Sequence, residues 1–175
     1  YRLLENLLEW SRTQQDEIQY NPQYLSLKDV LDEVLSVQKS TINQKQINIH
    51  LDLSPGLQVY ADRHMLAFLL RNLIGNAIKF TPFGGEIKLS AKQGSRDTIV
   101  KISDTGVGMS KQVVDNLFDL NFHHTTEGTN KEKGVGLGLI LCKEFVDRMN
   151  GAIQVDSTPG NGSTFTFSLP KGSGN

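Results

Sequence analysis

The stretch "RNLIGNAIKFTP", residues 71–82, combines two patterns that a plain core helix does not require together. Its apolar residues recur at steps of three and four positions, which is the spacing of one buried helix face. Asn72, Asn76 and Lys79 recur at the same steps, so their side chains project from another side of the same helix. Two amides and an ammonium group on one side indicate either a solvated face or a bound polar ligand. An amide oxygen suits magnesium, and a lysine one turn further along suits phosphate.

The composition restricts the class of protein. A length of 175 residues, with 38% hydrophobic and 21% charged residues, is typical of one soluble globular domain. The net charge of −1 argues against non-specific binding of nucleic acid. Cys142 is the only cysteine, which excludes disulfides, zinc ribbons and CxxC redox chemistry within one chain. The sequence has no apolar run of the roughly 20 residues that a membrane span needs, and no signal peptide.

The hydrophobic periodicity along the chain predicts an α+β protein. Apolar steps of three and four residues indicate helices, and alternating apolar and polar residues indicate strands. The stretch "NPQ" at 21–23 is interpreted as a break between elements. We predict helices over 27–44, 62–80, 110–117 and 136–149, strands over 47–53 and 57–61, and hairpins within 84–106 and 151–170. This order predicts a two-layer sandwich, in which a mixed, mostly antiparallel five-stranded sheet carries three main helices on one face.

The two ends of the chain differ from this central pattern. Residues 1–18 carry a leucine stripe at helical spacing, and the chain opens in the middle of that pattern without Met. The stripe is explained either by a core helix or by the end of a longer helical hairpin, and we prefer the hairpin. We therefore predict three parts: the end of a hairpin over 1–20, a compact domain over 21–170, and a disordered tail over 171–175.

The stretch "ISDTGVGM", residues 102–109, places a carboxylate where a strand ends. Asp104 is followed by Gly106 and Gly108, which allow a flat ring to approach the backbone. A carboxylate held in this way can accept a hydrogen bond from the amino group of a base. A simple turn with Asp at its first position is the alternative explanation.

Two further glycine-rich stretches accompany it. In "EKGVGLGLILCKEF", residues 132–145, the glycines precede an apolar helix, where backbone N–H groups bind anions. The stretch follows a loop rather than a strand, which disfavours a dinucleotide fingerprint, and it lacks G-K-[ST], which disfavours a Walker loop. A flexible hinge is the alternative explanation. In "TPGNGSTFTF", residues 158–167, a turn leads into a strand that brings Thr164 toward the same region. Turn chemistry alone explains this last stretch equally well.

Taken in order, and together with "NLFDLNF" at 116–122, these stretches resemble the ATP-binding catalytic domain of bacterial sensor histidine kinases. That domain belongs to a superfamily shared with DNA gyrase, the large heat-shock chaperone and the mismatch-repair ATPase. The resemblance covers residues 25–170. It implies ATP and Mg²⁺ as cofactors and transfer of the γ-phosphoryl group of ATP to a histidine outside this chain.

The resemblance also implies roles for individual residues. Asn76 would bind magnesium with Asn72 beside it, Lys79 would contact phosphate, and Asn76 and Lys79 would thus be the catalytic pair. Asp104 would accept from the adenine amino group. The loop over 118–134 would be a mobile lid, from which Lys131 or Lys133 would reach the phosphates. The remaining nucleotide-binding residues would be Phe80, Gly106, Gly108, Phe118, Phe122, Lys133, Gly134, Gly136, Leu137, Gly138 and Thr164.

The resemblance finally implies partners and excludes others. The superfamily's hydrolases carry a glutamate where this chain has Asn72, so transfer to a protein acceptor is favoured over a gyrase-type hydrolase or a non-catalytic scaffold. His123 and His124 are interpreted as exposed loop residues, and no histidine stands in a phosphoacceptor motif. The implied partners are the protein's own upstream dimerisation domain, in a homodimer, and a response-regulator receiver domain, but no nucleic acid. The implied location is the cytoplasmic portion of a membrane-anchored sensor.

Overall fold

The computed structural model describes residues 19–119, 128–129 and 137–171. The predicted helix over 1–18 and most of the predicted tail lie outside these ranges. Within them the chain forms β1 (Pro22–Ser26), α1 (Leu27–Gln44), β2 (Asn48–Leu53), β3 (Gln58–Asp62), α2 (Arg63–Phe80), β4 (Glu86–Gln93), β5 (Asp97–Asp104), α3 (Lys111–Asp115), α4 (Leu137–Arg148), β6 (Ala152–Ser157) and β7 (Ser163–Pro170).

Five of these strands form one mixed sheet in the order β2-β4-β5-β7-β6. The edge strand β2 runs parallel to β4, and the other three pairings are antiparallel. The predicted mixed, mostly antiparallel five-stranded sheet is therefore confirmed. In β5 the buried residues alternate with exposed ones, so one face of the sheet packs against the helices.

The structure differs from the prediction at the start of the domain. Pro22 does not break the chain there but begins β1, which pairs antiparallel with β3 in a separate two-stranded sheet. Proline is tolerated at the first position of a strand because its missing N–H is not needed there. Leu25 is the only buried residue of β1, so the sequence carries no alternation that would reveal this strand.

Helix α2 carries the opening stretch, and its ends are set by local side chains. The Asp62 carboxylate caps the first turn by accepting from the backbone N–H groups of His64 and Met65 at 2.9 and 3.1 Å. At the other end, Thr81 leaves the helical conformation and its hydroxyl donates to Ala77 O at 2.7 Å. The helix predicted over 62–80 is confirmed, since α2 spans Arg63–Phe80.

The packing of α2 explains its two patterns. Its apolar side is buried from Met65 to Ile78, and Phe68 meets Phe145 of α4 edge to face with ring centroids 5.0 Å apart. It also contacts α1 and β5. The polar side remains partly accessible at Asn72, Asn76 and Lys79. The core therefore fixes the helix and leaves its polar side available for a ligand.

Candidate functional site

The C-terminal end of α2 lies directly against the loop that follows β5. The backbone N–H of Val107 donates to Phe80 O at 3.2 Å. A Cβ atom on Gly106 would lie only 2.6 Å from Phe80 O and 2.6 Å from Asp104 Oδ1. The structure therefore brings together the predicted site residues Phe80, Asp104 and Gly106, although they belong to different elements.

Asp104 is held so that its two carboxylate oxygens differ. Oδ1 accepts from the backbone N–H groups of Gly106 at 2.8 Å and Ser163 at 3.2 Å. In the part of the chain that the structure describes, no group donates to Oδ2. Burial raises the pKa of the Asp104 carboxyl, and the two N–H groups offset only part of that rise. The site thus offers one fixed, partly desolvated acceptor oxygen.

The two glycine turns around Asp104 interlock. Gly108 has φ +66° and Gly162 has φ +74°, a conformation that favours glycine. A Cβ atom at Gly108 would overlap Thr158 O, and one at Gly162 would overlap Asp104 O. The stretches 102–109 and 158–167, which were predicted to lie in the same region, therefore pack directly against each other at the end of the sheet.

Ser157 joins these turns and was not found by sequence reasoning. Its hydroxyl accepts from Met109 N at 2.8 Å, donates to Gly162 O at 2.8 Å and lies 3.0 Å from the Ser163 hydroxyl. A serine at the end of a strand has no distinctive pattern. The only signal available is its position directly before the glycine turn.

The three polar side chains on this side of α2 differ in the contacts that they make. The Asn72 amide donates to Phe68 O at 2.9 Å and is thus bonded to its own helix. The Lys79 ammonium lies 4.6 Å from the centre of the Phe80 ring. The half-buried Asn76 has no hydrogen bond to any residue that the structure describes. Its amide oxygen is therefore available to a ligand.

Lys45 and Thr129 complete this end of α2 and were also missed by the sequence analysis. Lys45 is only 3% exposed, and its ammonium donates to Ile78 O at 2.7 Å and to the Thr129 hydroxyl at 2.6 Å. Thr129 N donates in turn to Lys79 O at 3.1 Å. No sequence pattern marks these contacts because Lys45 is separated from Ile78 and Thr129 by 33 and 84 positions.

The remaining predicted residues divide into three groups. Leu137 and Gly138 begin α4, and Phe118 is half-buried against the core. Thr164 lies opposite Ser103 in the pairing of β5 with β7, and its hydroxyl donates to the Ser103 hydroxyl at 3.0 Å. The residue opposite Asp104 is Ser163, one position earlier in β7. Because side chains alternate between faces, the structure does not bring the Thr164 side chain to Asp104. Phe122, Lys131, Lys133, Gly134 and Gly136 lie outside the described residues.

The described ranges contain neither a cluster of the usual metal-binding side chains nor a helix that could span a membrane. No group of three or more His, Cys, Asp or Glu side chains there is placed to hold a metal ion. No helix there is long and apolar enough to cross a membrane.

Comparison with known proteins adds three findings. Residues 61–173 match the family described as histidine kinase-, DNA gyrase B-, and HSP90-like ATPase. The chain is 32% identical over 171 residues to the adaptive-response sensory kinase SasA of Synechocystis sp., covering 97% of this chain and 44% of SasA. The chain therefore spans less than half the length of this curated relative.

Two solved structures share the fold. The catalytic domain of histidine kinase ThkA, in a nucleotide-free form, superposes with a TM-score of 0.75 at 27% identity, covering 86% of this chain and 96% of that domain. Full-length ShkA in complex with AMPPNP gives a TM-score of 0.81 at 25% identity, covering 99% of this chain and 36% of ShkA. The sheet and helices described above thus have close counterparts in both proteins.

Proposed function

The chain belongs to the family of histidine kinase-, DNA gyrase B- and HSP90-like ATPases, and on that premise we propose that it is the ATP-binding catalytic domain of a sensor histidine kinase. In this proposal the domain holds ATP and presents its γ-phosphoryl group to a histidine of a protein acceptor outside this chain. The relative SasA is a sensory kinase, and ShkA was solved with the ATP analogue AMPPNP, which supports the assignment.

The observation that carries the proposal is the arrangement of the Asp104 carboxylate. Two backbone N–H groups engage Oδ1, so Oδ2 is left to accept a hydrogen bond from an incoming amino group. Adenine carries such a group, whereas guanine presents a carbonyl at the equivalent ring position. Gly106 carries no side chain, which lets its backbone pack closely against Phe80 O and Asp104 Oδ1 and so fixes the loop beside the carboxylate. Asp104 therefore orients the adenine ring at the end of the sheet.

The phosphates extend from this point along the polar side of α2. Asn76 has a half-buried amide with no hydrogen-bond partner among the described residues, and Mg²⁺ takes one or two protein oxygens beside phosphate oxygens and waters. The donor chemistry therefore fits this ion, which would neutralise phosphate charge when bound. Lys79 follows one turn later and meets the phosphates as a point charge. The N–H groups at the start of α4, including that of Gly138, face the same anionic ligand.

These residues promote transfer by positioning and charge neutralisation, which phosphoryl transfer chiefly requires. Hydrolysis would need a base that activates water. Asn72 occupies that place on α2, and its amide is bonded to Phe68 O. An amide cannot accept a proton at neutral pH, so the site favours an external nucleophile over water.

The partners of the whole protein follow from the same proposal. Residues 1–20 would be the end of a dimerisation hairpin. Residues 21–170 would form the catalytic domain, and residues 171–175 would be a tail. The upstream hairpin would supply the acceptor histidine in a homodimer, and a response-regulator receiver domain would take the phosphoryl group. The parent protein would be a membrane-anchored sensor with this domain in the cytoplasm.

Isothermal titration calorimetry and labelling test the proposal together. We expect one ATP per chain, bound more tightly with Mg²⁺, and we expect Asn76→Ala to remove the magnesium dependence. Lys92→Met, at an exposed position of β4, is the matched control. With γ-labelled ATP the chain alone should stay unlabelled, while the full-length protein should gain phosphate that is stable to alkali. Alkali-stable phosphate on this chain alone, or an absence of ATP binding, would contradict the proposal.

A further inference from the structure

Lys45 is a buried lysine at the C-terminal end of α2 that the proposed function does not use. Its ammonium donates to Ile78 O at 2.7 Å, Lys79 O at 3.0 Å and the Thr129 hydroxyl at 2.6 Å. Gly84 N donates to Lys45 O at 2.9 Å, so the backbone of Lys45 is itself tied to the turn after α2. Burial of an ammonium group is costly unless its surroundings compensate the charge. The carbonyl groups at the end of a helix provide such compensation.

The charge of Lys45 changes the electrostatics of this end of α2. The C-terminus of a helix carries roughly half a negative elementary charge. Lys79, which would contact phosphate, lies on the last turn, so the helix end would repel a polyphosphate placed there. A buried ammonium on the last carbonyl groups offsets that field, and it does so in a region where solvent screens little.

The same contacts fix the backbone of Lys79. Lys79 O accepts from Lys45 Nζ at 3.0 Å, from Thr129 N at 3.1 Å and from the Thr129 hydroxyl at 3.0 Å. The Thr129 hydroxyl also lies 3.1 Å from Thr81 O. Lys45 and Thr129 together thus set where the Lys79 side chain starts.

We propose that Lys45, with Thr129, is a positioning residue for the phosphates of bound ATP: it neutralises the end of α2 and holds Lys79 in place. Lys45 makes no contact with the nucleotide in this proposal and acts through the helix end. The inference rests on the proposed function, because it requires that phosphates lie beside Lys79.

The test compares the affinities of adenosine, ADP and ATP, the latter two with Mg²⁺, by calorimetry. Lys45→Met should weaken ATP about 10-fold and ADP less, with adenosine unchanged, because the loss grows with phosphate charge. Thr129→Val keeps the charge and removes one hydroxyl, and should weaken ATP about threefold with adenosine unchanged. Lys92→Met controls for the change in net charge. Lys92 lies on β4 about 20 Å from Glu86, the end of that strand nearest the site. Thr98→Val makes the same replacement of threonine by valine at a buried position of β5 and controls for the loss of a hydroxyl away from the site.

The possible results distinguish failure of the inference about Lys45 from failure of the proposed ATP-binding function. Equal weakening of all three ligands by Lys45→Met or Thr129→Val would show a merely structural role and overturn this inference. Unchanged ATP affinity in both variants would overturn it as well. Thr129→Val alone decides the matter if circular dichroism shows that Lys45→Met does not fold. If the wild-type chain binds neither ADP nor ATP, the proposed function itself fails.

Discussion

The carboxylate of Asp104 accepts a hydrogen bond from the backbone N–H of Ser163 at 3.2 Å, although the two residues lie 59 positions apart. They also face each other directly in the pairing of β5 with β7. The orientation of the carboxylate is therefore set jointly by Ser163 of the neighbouring strand and by Gly106 of the loop that follows β5, whose N–H donates to the same oxygen at 2.8 Å. Changes at Asp104 should consequently affect ligand binding far more than the fold.

Asp104→Asn should separate binding from stability. The asparagine keeps an oxygen for the Gly106 and Ser163 N–H groups but presents an NH₂ group in place of Oδ2. Loss of a charge-assisted hydrogen bond should weaken ATP binding by about 10- to 100-fold. Calorimetry checks this, with Asp97→Asn at the exposed start of the same strand as control. Retention of wild-type affinity by Asp104→Asn would contradict the assignment of the adenine contact.

The pH dependence of the empty domain gives a second prediction for this carboxylate. Burial raises the pKa of Asp104 in the folded state, so ionisation costs stability once the pH exceeds the unfolded value. This cost is complete above the raised folded pKa and vanishes as the pH falls below the unfolded pKa. Asp104→Asn should therefore raise the melting temperature at about pH 7 relative to wild type, and the gain should shrink in acid. An equal shift at all pH values would refute this account.

Asn72→Glu should enable the domain to hydrolyse bound ATP. A glutamate cannot donate to Phe68 O as the asparagine amide does, so its carboxylate is released toward the site. Because position 72 lies one turn before Asn76 on the same side, the carboxylate can activate water beside the phosphates. We expect release of inorganic phosphate to rise by about 100-fold, the lower end of the effect of an added general base. Asn72→Gln is the control, and ATP binding without faster release would refute the role of this position.

Gly162→Ala and Gly160→Ala form a matched pair for the interlocked turns. Both glycines have positive φ, +74° and +81°, so both substitutions carry a left-handed penalty of about 1–2 kcal/mol. A methyl group at Gly160 meets open space, whereas one at Gly162 overlaps Asp104 O. Urea denaturation should therefore show that Gly162→Ala loses at least about 1 kcal/mol more than Gly160→Ala. Equal losses would show that the two turns can separate at little cost.

Thr98→Val should leave stability unchanged or increase it by up to about 1 kcal/mol. The Thr98 hydroxyl is buried and has no hydrogen-bond partner among the described residues, so its removal relieves an uncompensated polar group. Thr81→Val is the contrast, because the Thr81 hydroxyl donates to Ala77 O at 2.7 Å. That variant should lose about 1 kcal/mol in the same denaturation experiment. A clear loss in Thr98→Val would indicate a partner for its hydroxyl.

Features of the fold that depend on contacts between residues close in sequence could be predicted from the sequence. Helix α2 was predicted over 62–80 and spans Arg63–Phe80, and its observed caps, Asp62 and Thr81, lie within a few residues of the groups that they contact. The family and the α+β fold predicted from the motif order are confirmed by the match over 61–173 and by the structure of ThkA. The sequence did not reveal β1, because one buried residue in five produces no periodic signal.

The parts of the site that were missed depend on contacts between distant residues. Lys45 reaches the end of α2 across 33 positions, and Ser157 joins Met109 across 48. Neither contact leaves a pattern in the sequence. Thr164 was predicted to approach the site, but in the structure the residue opposite Asp104 is its neighbour Ser163. A shift of one residue in a strand moves a side chain to the other face.

The most direct test is a crystal structure of this chain with Mg²⁺ and a non-hydrolysable ATP analogue. The account predicts one nucleotide whose adenine amino group donates to Asp104 Oδ2, with the metal on the Asn76 amide oxygen and phosphate oxygens beside Lys79. A nucleotide bound with its base away from Asp104, or phosphates away from α2, would contradict it.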